Sequence, residues 1–235
     1  MSLDARRAAV WDAMQLGPRW LLRTTASAAQ REPVSAGDDI GSLDWDALQA
    51  RVAACVACGL CKSRKQTVFG VGSRSAPWLI VGEAPGAEED ARGEPFVGQA
   101  GKLLDNMLAA VGRSRGATGD NAVYIANVLK CRPPGNRNPE PDEVAQCAPY
   151  LERQIALLAP RVIIVMGRFA AQALLGTDAT IASLRGRIHP VTSGARSIPA
   201  VVTYHPAYLL RNLADKAKAW QDLQLARRAD AGTAA

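Results

Sequence analysis

Four short apolar runs organise this chain, at residues 78–81, 123–130, 162–166 and 200–204. Each is short, and Pro77 and Gly82 bound the first. They read as buried strands, with Asn127 interrupting the second. Between them the apolar positions recur at helical spacing. Leu103, Leu104, Met107, Leu108 and Val111 mark a helix over residues 99–111. A second helix spans residues 142–158, with Pro149 an irregularity, and short helices follow Gly167 and His205. Before the first strand, Leu43, Leu48 and Val52 mark a helix, with Ser42 as its cap and Asp44 and Asp46 at its positive end. Strands alternating with helices predict a three-layer α/β/α fold around a largely parallel four-stranded sheet.

The ends of the chain differ in character. Residues 4–23 carry helical apolar faces broken at Gly17-Pro18, and residues 24–41 are small, polar and turn-rich, a linker composition. Residues 1–41 are therefore expected to be an appendage, 42–228 the folded domain and 229–235 a frayed tail.

In a parallel sheet the carboxyl ends of the strands share one edge, so Glu83, Asn127 and His205 are expected to meet at one crevice. The first strand runs into Gly82-Glu-Ala-Pro-Gly86, where Gly82 and Gly86 let a ligand approach bare backbone. A P-loop would end in Lys-Ser/Thr, which is missing here, and the acids Glu88, Glu89 and Asp90 would repel a pyrophosphate. With Phe96 offering a flat face, the segment suits a neutral planar base.

Composition narrows the partner. The chain has 235 residues, a formal net charge of +6 and a pI near 9.3, which favours a polyanion. No apolar run approaches membrane-spanning length and no signal-peptide core is present, so a soluble, cytoplasmic monomer is expected. In a reducing compartment, five cysteines at motif-like spacing point to metal or cluster ligands rather than disulfides. Cys55-x2-Cys58 and Cys131-x15-Cys147 could together form a four-thiolate site, clipping the N-terminal helix to the loop at 132–141 with its four prolines. Zinc and an iron–sulfur cluster both accept such a site, and spacing does not separate them. Cys61 is read as a spare thiol.

Taken together, GEAPG, the EED cluster, PFVGQAG, IANVLKCRPP, the paired cysteines and YHPAYLLR resemble family 4 uracil-DNA glycosylases over roughly residues 50–225. The resemblance implies an iron–sulfur enzyme of DNA base-excision repair that removes uracil from single- or double-stranded DNA. It implies a [4Fe-4S] cluster on Cys55, Cys58, Cys131 and Cys147. An enzyme of this kind flips the base into a pocket. Phe96 would stack on it, and Asn127 would pair with O4 and N3–H. His205 would donate to the O2 that gains charge, and Glu83 would orient the water. Glu89 would fill the space that admits thymine's methyl group. Arg132, Arg137 and Arg211 would hold phosphates while Leu209 fills the gap left by the flipped base. The rival readings are a catalytically inactive iron–sulfur DNA-binding or scaffold protein and a small redox carrier. Neither gives a role to Glu83, Asn127 and His205 as a set.

Overall fold

A computed structural model describes residues 40–232; the helix expected over residues 4–23 and most of the linker lie outside the described residues. In chain order the elements are α1 (Trp45–Ala53), β1 (Val71–Gly72), β2 (Trp78–Gly82), α2 (Ala87–Arg92), α3 (Gln99–Ala110), β3 (Val123–Asn127), α4 (Pro141–Leu158), β4 (Val162–Met166), α5 (Arg168–Leu175), α6 (Ile181–Leu184), β5 (Ile188–Ser193), β6 (Arg196–Thr203), α7 (Pro206–Arg211) and α8 (Lys216–Asp230).

Among the described residues the sheet has six strands, in the order β1-β3-β2-β4-β6-β5. The four expected strands are its inner four, all parallel. Two antiparallel edge strands correct the four-stranded expectation. β1 is two residues long, and β5 carries Pro190 opposite Pro199, a residue that the missing N–H confines to sheet edges.

Every residue of β2, β3 and β4 is buried. Side chains alternate between faces. Leu79 and Val81 pack with Leu151, Ile155, Ala170 and Ala171 of α4 and α5. Trp78 and Ile80 pack on the other side with Leu104 and Leu108 of α3 and with Leu223 and Ala226 of α8. Each leucine, isoleucine or valine among them contributes roughly 1.5–3 kcal/mol on burial.

Two helix ends differ from expectation. Asp44, not Ser42, caps α1, accepting the Ala47 N–H at 2.8 Å. α8 runs to Asp230, whose carboxylate bonds Arg161 at 2.7 Å and also Arg113. The chain therefore stays packed beyond residue 228, where a frayed tail was expected. The acids at 88–90 form the first turn of α2, where they face the helix's positive end.

Candidate active site

Gly82 ends β2 opposite Asn127, the last residue of β3. A Cβ on Gly82 would stand 2.5 Å from Asn127 Oδ1 and 2.6 Å from Phe96 Cζ. The amide and the ring thus close on the same bare Cα, an approach that glycine alone permits. Asn127 is 2% exposed. Lys130 Nζ holds its backbone carbonyl at 2.8 Å, while among the described residues nothing hydrogen-bonds its side-chain amide.

Phe96 is placed by strain and by clamps. Its φ is +54°, sparsely allowed for a residue with a side chain. Arg115 donates to the carbonyls of Pro95 and Phe96, both at 3.0 Å. Gly101 of α3 leaves room for that turn, since a Cβ there would meet Phe96 O at 1.8 Å. Glu89 ties the two ends of the loop together. One carboxylate oxygen accepts the Gly86 N–H at 3.1 Å, and the other accepts those of Val97 and Gly98 at 3.0 and 3.2 Å.

His205 follows β6 and caps α7, its Nδ1 accepting the Ala207 N–H at 3.2 Å. A neutral imidazole that accepts at Nδ1 carries its proton on Nε2, so His205 is a donor there. Burial lowers its pKa to about 4; the Glu89 charge opposes that shift and Arg211 adds to it. The ring is therefore neutral at neutral pH. It stacks on Phe96, with centroids 5.4 Å apart and planes inclined by 30°. Gly167, at φ +91°, lets the backbone after β4 pass close by, where a Cβ would lie 3.2 Å from His205 Cβ. Thr203, two residues earlier, bonds the buried Asp222 at 2.9 Å, and Arg185 holds the same carboxylate.

Glu83 lies just past β2, its backbone carbonyl accepting the Leu129 N–H at 3.0 Å. Burial raises its carboxyl pKa, with the Arg168 charge acting the other way. Among the described residues its carboxylate makes no hydrogen bond, so it stands at the same sheet edge as the other three without being tied to them.

Cys55, Cys58, Cys61, Cys131 and Cys147 line one pocket with Leu60, Leu129 and Tyr150. Burial raises the thiol pKa of Cys58 and Cys131, and that of Cys147 to about 11. Two sulfurs already receive donors: Arg64 Nη1 lies 3.1 Å from Cys131 Sγ, and the Lys130 N–H lies 3.3 Å from Cys147 Sγ. Donors aimed at sulfur suit thiolates that carry a metal group. The residues fit a thiolate-bound group. Among the described residues no three His, Cys, Asp or Glu side chains are arranged to hold a single ion.

The sequence model of the Uracil DNA glycosylase superfamily matches residues 69–224. Type-4 uracil-DNA glycosylases are similar over most of their length. That of Archaeoglobus fulgidus is 44% identical over 169 residues, 70% of this chain and 82% of the relative. That of Pyrobaculum aerophilum is 41% identical over 187 residues, 78% and 93% of the two chains. This chain belongs to the uracil-DNA glycosylase superfamily, in its type-4 branch. A type-5 uracil-DNA glycosylase of Thermus thermophilus is 37% identical over a shorter stretch, 138 residues, 54% of this chain and 61% of the relative.

For a glycosylase, the surface residues need revision. Leu209 is 1% exposed and packs inward with Pro206, three residues before it on the same face of α7. It does not reach the surface that would meet DNA. Its neighbour Leu210 is 42% exposed and Leu213 64%. Arg137 is engaged by carboxylates, bonding Glu143 at 2.6 and 2.9 Å and Glu140 at 3.2 Å, which leaves it no fork for a phosphate. Arg132 bonds Asn136 at 2.8 Å, and Arg211 is exposed at the end of α7. Sequence reading missed Lys130, Gln154, Gly167 and Arg64; of these only Lys130 and Arg64 carried a hint, as charges beside cysteines.

Proposed function

We propose that this chain removes uracil from DNA by hydrolysing its N-glycosidic bond, leaving an abasic site. The observation that carries the reading is the convergence of the Asn127 amide and the Phe96 ring on bare Gly82, with neutral His205 against that ring. A flipped uracil placed there stacks on Phe96. The Asn127 NH2 donates to O4 and its Oδ1 accepts from N3–H. As the bond to the sugar breaks, negative charge gathers on the base at O2, and His205 donates to it from Nε2. A neutral donor suffices, and the capped Nδ1 keeps the proton on the nitrogen needed. The sugar gains oxocarbenium character and is attacked by water, which Glu83 orients as a carboxylate.

Gly86 keeps the pocket wall low, and Glu89 bridges the loop at the place where a thymine methyl would enter. Arg132 and Arg211 hold phosphates, and exposed Leu210, in place of Leu209, fills the gap left in the stack. The substrate is DNA carrying uracil, single- or double-stranded.

Cys55, Cys58, Cys131 and Cys147 would hold a [4Fe-4S] cluster, which would brace the loop after β3 rather than take part in the reaction. Zinc would draw its thiolates onto one centre at about 2.3 Å, whereas a cubane spreads them over several irons. One pocket lined by all these cysteines, with donors already aimed at two sulfurs, supports the cluster reading. No described helix is long and apolar enough to cross a membrane. The setting we infer is the cytoplasm, where a reducing medium keeps thiols free for iron. One experiment tests the function: incubation with a uracil-containing oligonucleotide, scored for abasic sites. Binding without base release would leave a DNA-binding protein with a dead pocket.

A further inference from the structure

Among the described residues Lys130 is a charge with no carboxylate partner, at the heart of the fold. It is 2% exposed, and lysine is almost never so deeply buried without a compensating role. Its Nζ donates to the Asn127 carbonyl at 2.8 Å and to Gln154 Oε1 at 2.6 Å. Gln154, 0% exposed, passes the connection on, donating from Nε2 to the Phe69 carbonyl at 3.0 Å. The main chain of Lys130 is tied down as well, its N–H to Cys147 Sγ at 3.3 Å and its carbonyl to the Val68 N–H at 2.8 Å.

The sheet explains why these groups are there. β1 pairs with β3 as Gly72 with Tyr124 and Val71 with Ile125, and then stops. Continued, that register would set Phe69 opposite Asn127, but the two strands have parted. The Lys130 ammonium and the Gln154 amide fill the opening, one serving the Asn127 carbonyl and the other the Phe69 carbonyl. A buried carbonyl must find a donor, and a neighbouring strand would normally supply it. Here a side chain from the loop leading to Cys131 supplies it. The strand end that presents the Asn127 amide is therefore set by a lysine whose own backbone rests on the cysteine pocket.

We propose that Lys130, braced by Gln154, is a positioning residue for base recognition, setting the Asn127 backbone and through it the orientation of the amide that reads uracil. The proposal rests on the reading of Asn127 as the base-reading residue. A lysine that merely stabilised the interior would weaken the protein without acting through Asn127.

A double-mutant cycle on the full-length protein separates these roles. Lys130→Met keeps most of the apolar stem and removes the ammonium. Single-turnover uracil release would be followed for wild type, Lys130→Met, Asn127→Ala and the double variant, with iron content, DNA affinity and thermal unfolding measured beside it. Displacing a reacting group by about 1 Å can cost about 10²-fold in rate. Lys130→Met should therefore slow release by about 10²-fold, with DNA affinity little changed, and should add no further slowing to Asn127→Ala. Rate losses that multiply in the double variant would overturn the proposal, as would a wild-type rate for Lys130→Met. If Lys130→Met does not fold, Gln154→Met removes the brace and keeps the ammonium; about 10-fold slowing, again absent in the Asn127→Ala background, is expected, and multiplying losses would overturn the proposal. Asn127→Ala at the wild-type rate would instead defeat the reading of Asn127, and the proposal with it.

Discussion

Phe96 and His205 stack on one another, centroids 5.4 Å apart, although they come from distant parts of the chain. The contact joins the loop after β2 to the cap of α7, so the surface we propose for the base and the donor we propose for its departing charge are set by the same two rings. Phe96 is held at φ +54° to make this contact, a conformation that stores strain and persists only when its surroundings insist on it.

Replacing Phe96 by Leu keeps an apolar side chain and removes the π face. Base–aromatic stacking is worth about 1–3 kcal/mol per base, so single-turnover excision should fall by about 5- to 150-fold. Thermal unfolding should move much less than the rate. A variant as fast as wild type would show that the ring does not stack on the base.

Gly82 makes a harsher test. Adding one methyl group places a carbon 2.5 Å from Asn127 Oδ1 and 2.6 Å from Phe96 Cζ, and both must shift. Overpacking of this kind costs about 1–3 kcal/mol of stability. Gly82→Ala should therefore fold, with a modestly lowered Tm, and lose uracil excision almost entirely in a single-turnover assay. Normal excision would place the base elsewhere.

How far the sequence anticipated this arrangement depended on the kind of signal. The inner strands were legible because unbroken apolar runs such as residues 162–166 have no other use in a chain of this composition. Their parallel order then carried Gly82, Asn127 and His205 to one edge. The edge strands were not legible: β1 is too short to show a period, and β5 has one buried residue and a proline. The choice between Leu209 and Leu210 depends on helical phase, which is fixed only once His205 is known to cap α7 and Pro206 to face inward. The partners of Arg137 were equally hidden, because Glu143 belongs to the next helix and Glu140 to its cap, and a basic loop looks the same whether or not its charges are spent.

The engagement of Arg137 changes what salt titrations should show. Arg211 is exposed, and Arg211→Ala should reduce the slope of log K against log salt by roughly 0.7–0.9 for each phosphate that is no longer neutralised. Arg137→Ala should leave the slope unchanged and lower stability instead, since it strands Glu143, a carboxylate only 5% exposed. Equal slopes for wild type and Arg211→Ala would move the DNA track away from α7.

The cysteine pocket predicts linked losses. Purified protein should be brown, and Cys147→Ser should lose iron, visible absorbance and thermal stability together. In the absence of iron, burial holds the Cys147 thiol pKa at about 11, so the pocket cannot keep a free thiolate at neutral pH. Chelating iron from the wild type should therefore lower its Tm. A colourless, fully active wild type with zinc bound would overturn the cluster assignment.

Glu83 and His205 should leave separate marks on the pH profile. Burial raises the Glu83 pKa above the ordinary 4.5. In the proposed reaction its carboxylate is the form that orients water, so the rate should fall as pH drops through that raised value, at higher pH than an exposed glutamate would give. Glu83→Gln should be slower at neutral pH and should lack this acid limb. Stability should move the other way. With the folded pKa raised, ionised Glu83 destabilises the folded chain at neutral pH, and the penalty disappears as the group protonates. Glu83→Gln should thus raise Tm at neutral pH and change it little at low pH, where both side chains are neutral. His205 contributes no inflection near 6.5, because burial has already lowered its pKa to about 4. His205→Ala should lower the whole profile by about 10²–10³, the usual cost of removing one donor to a developing oxyanion, without altering its shape around neutrality. A wild-type rate that falls as pH rises through 6.5, the ordinary histidine value, with that limb absent in His205→Ala, would show that the imidazole works as a cation, and the neutral-donor mechanism would fall.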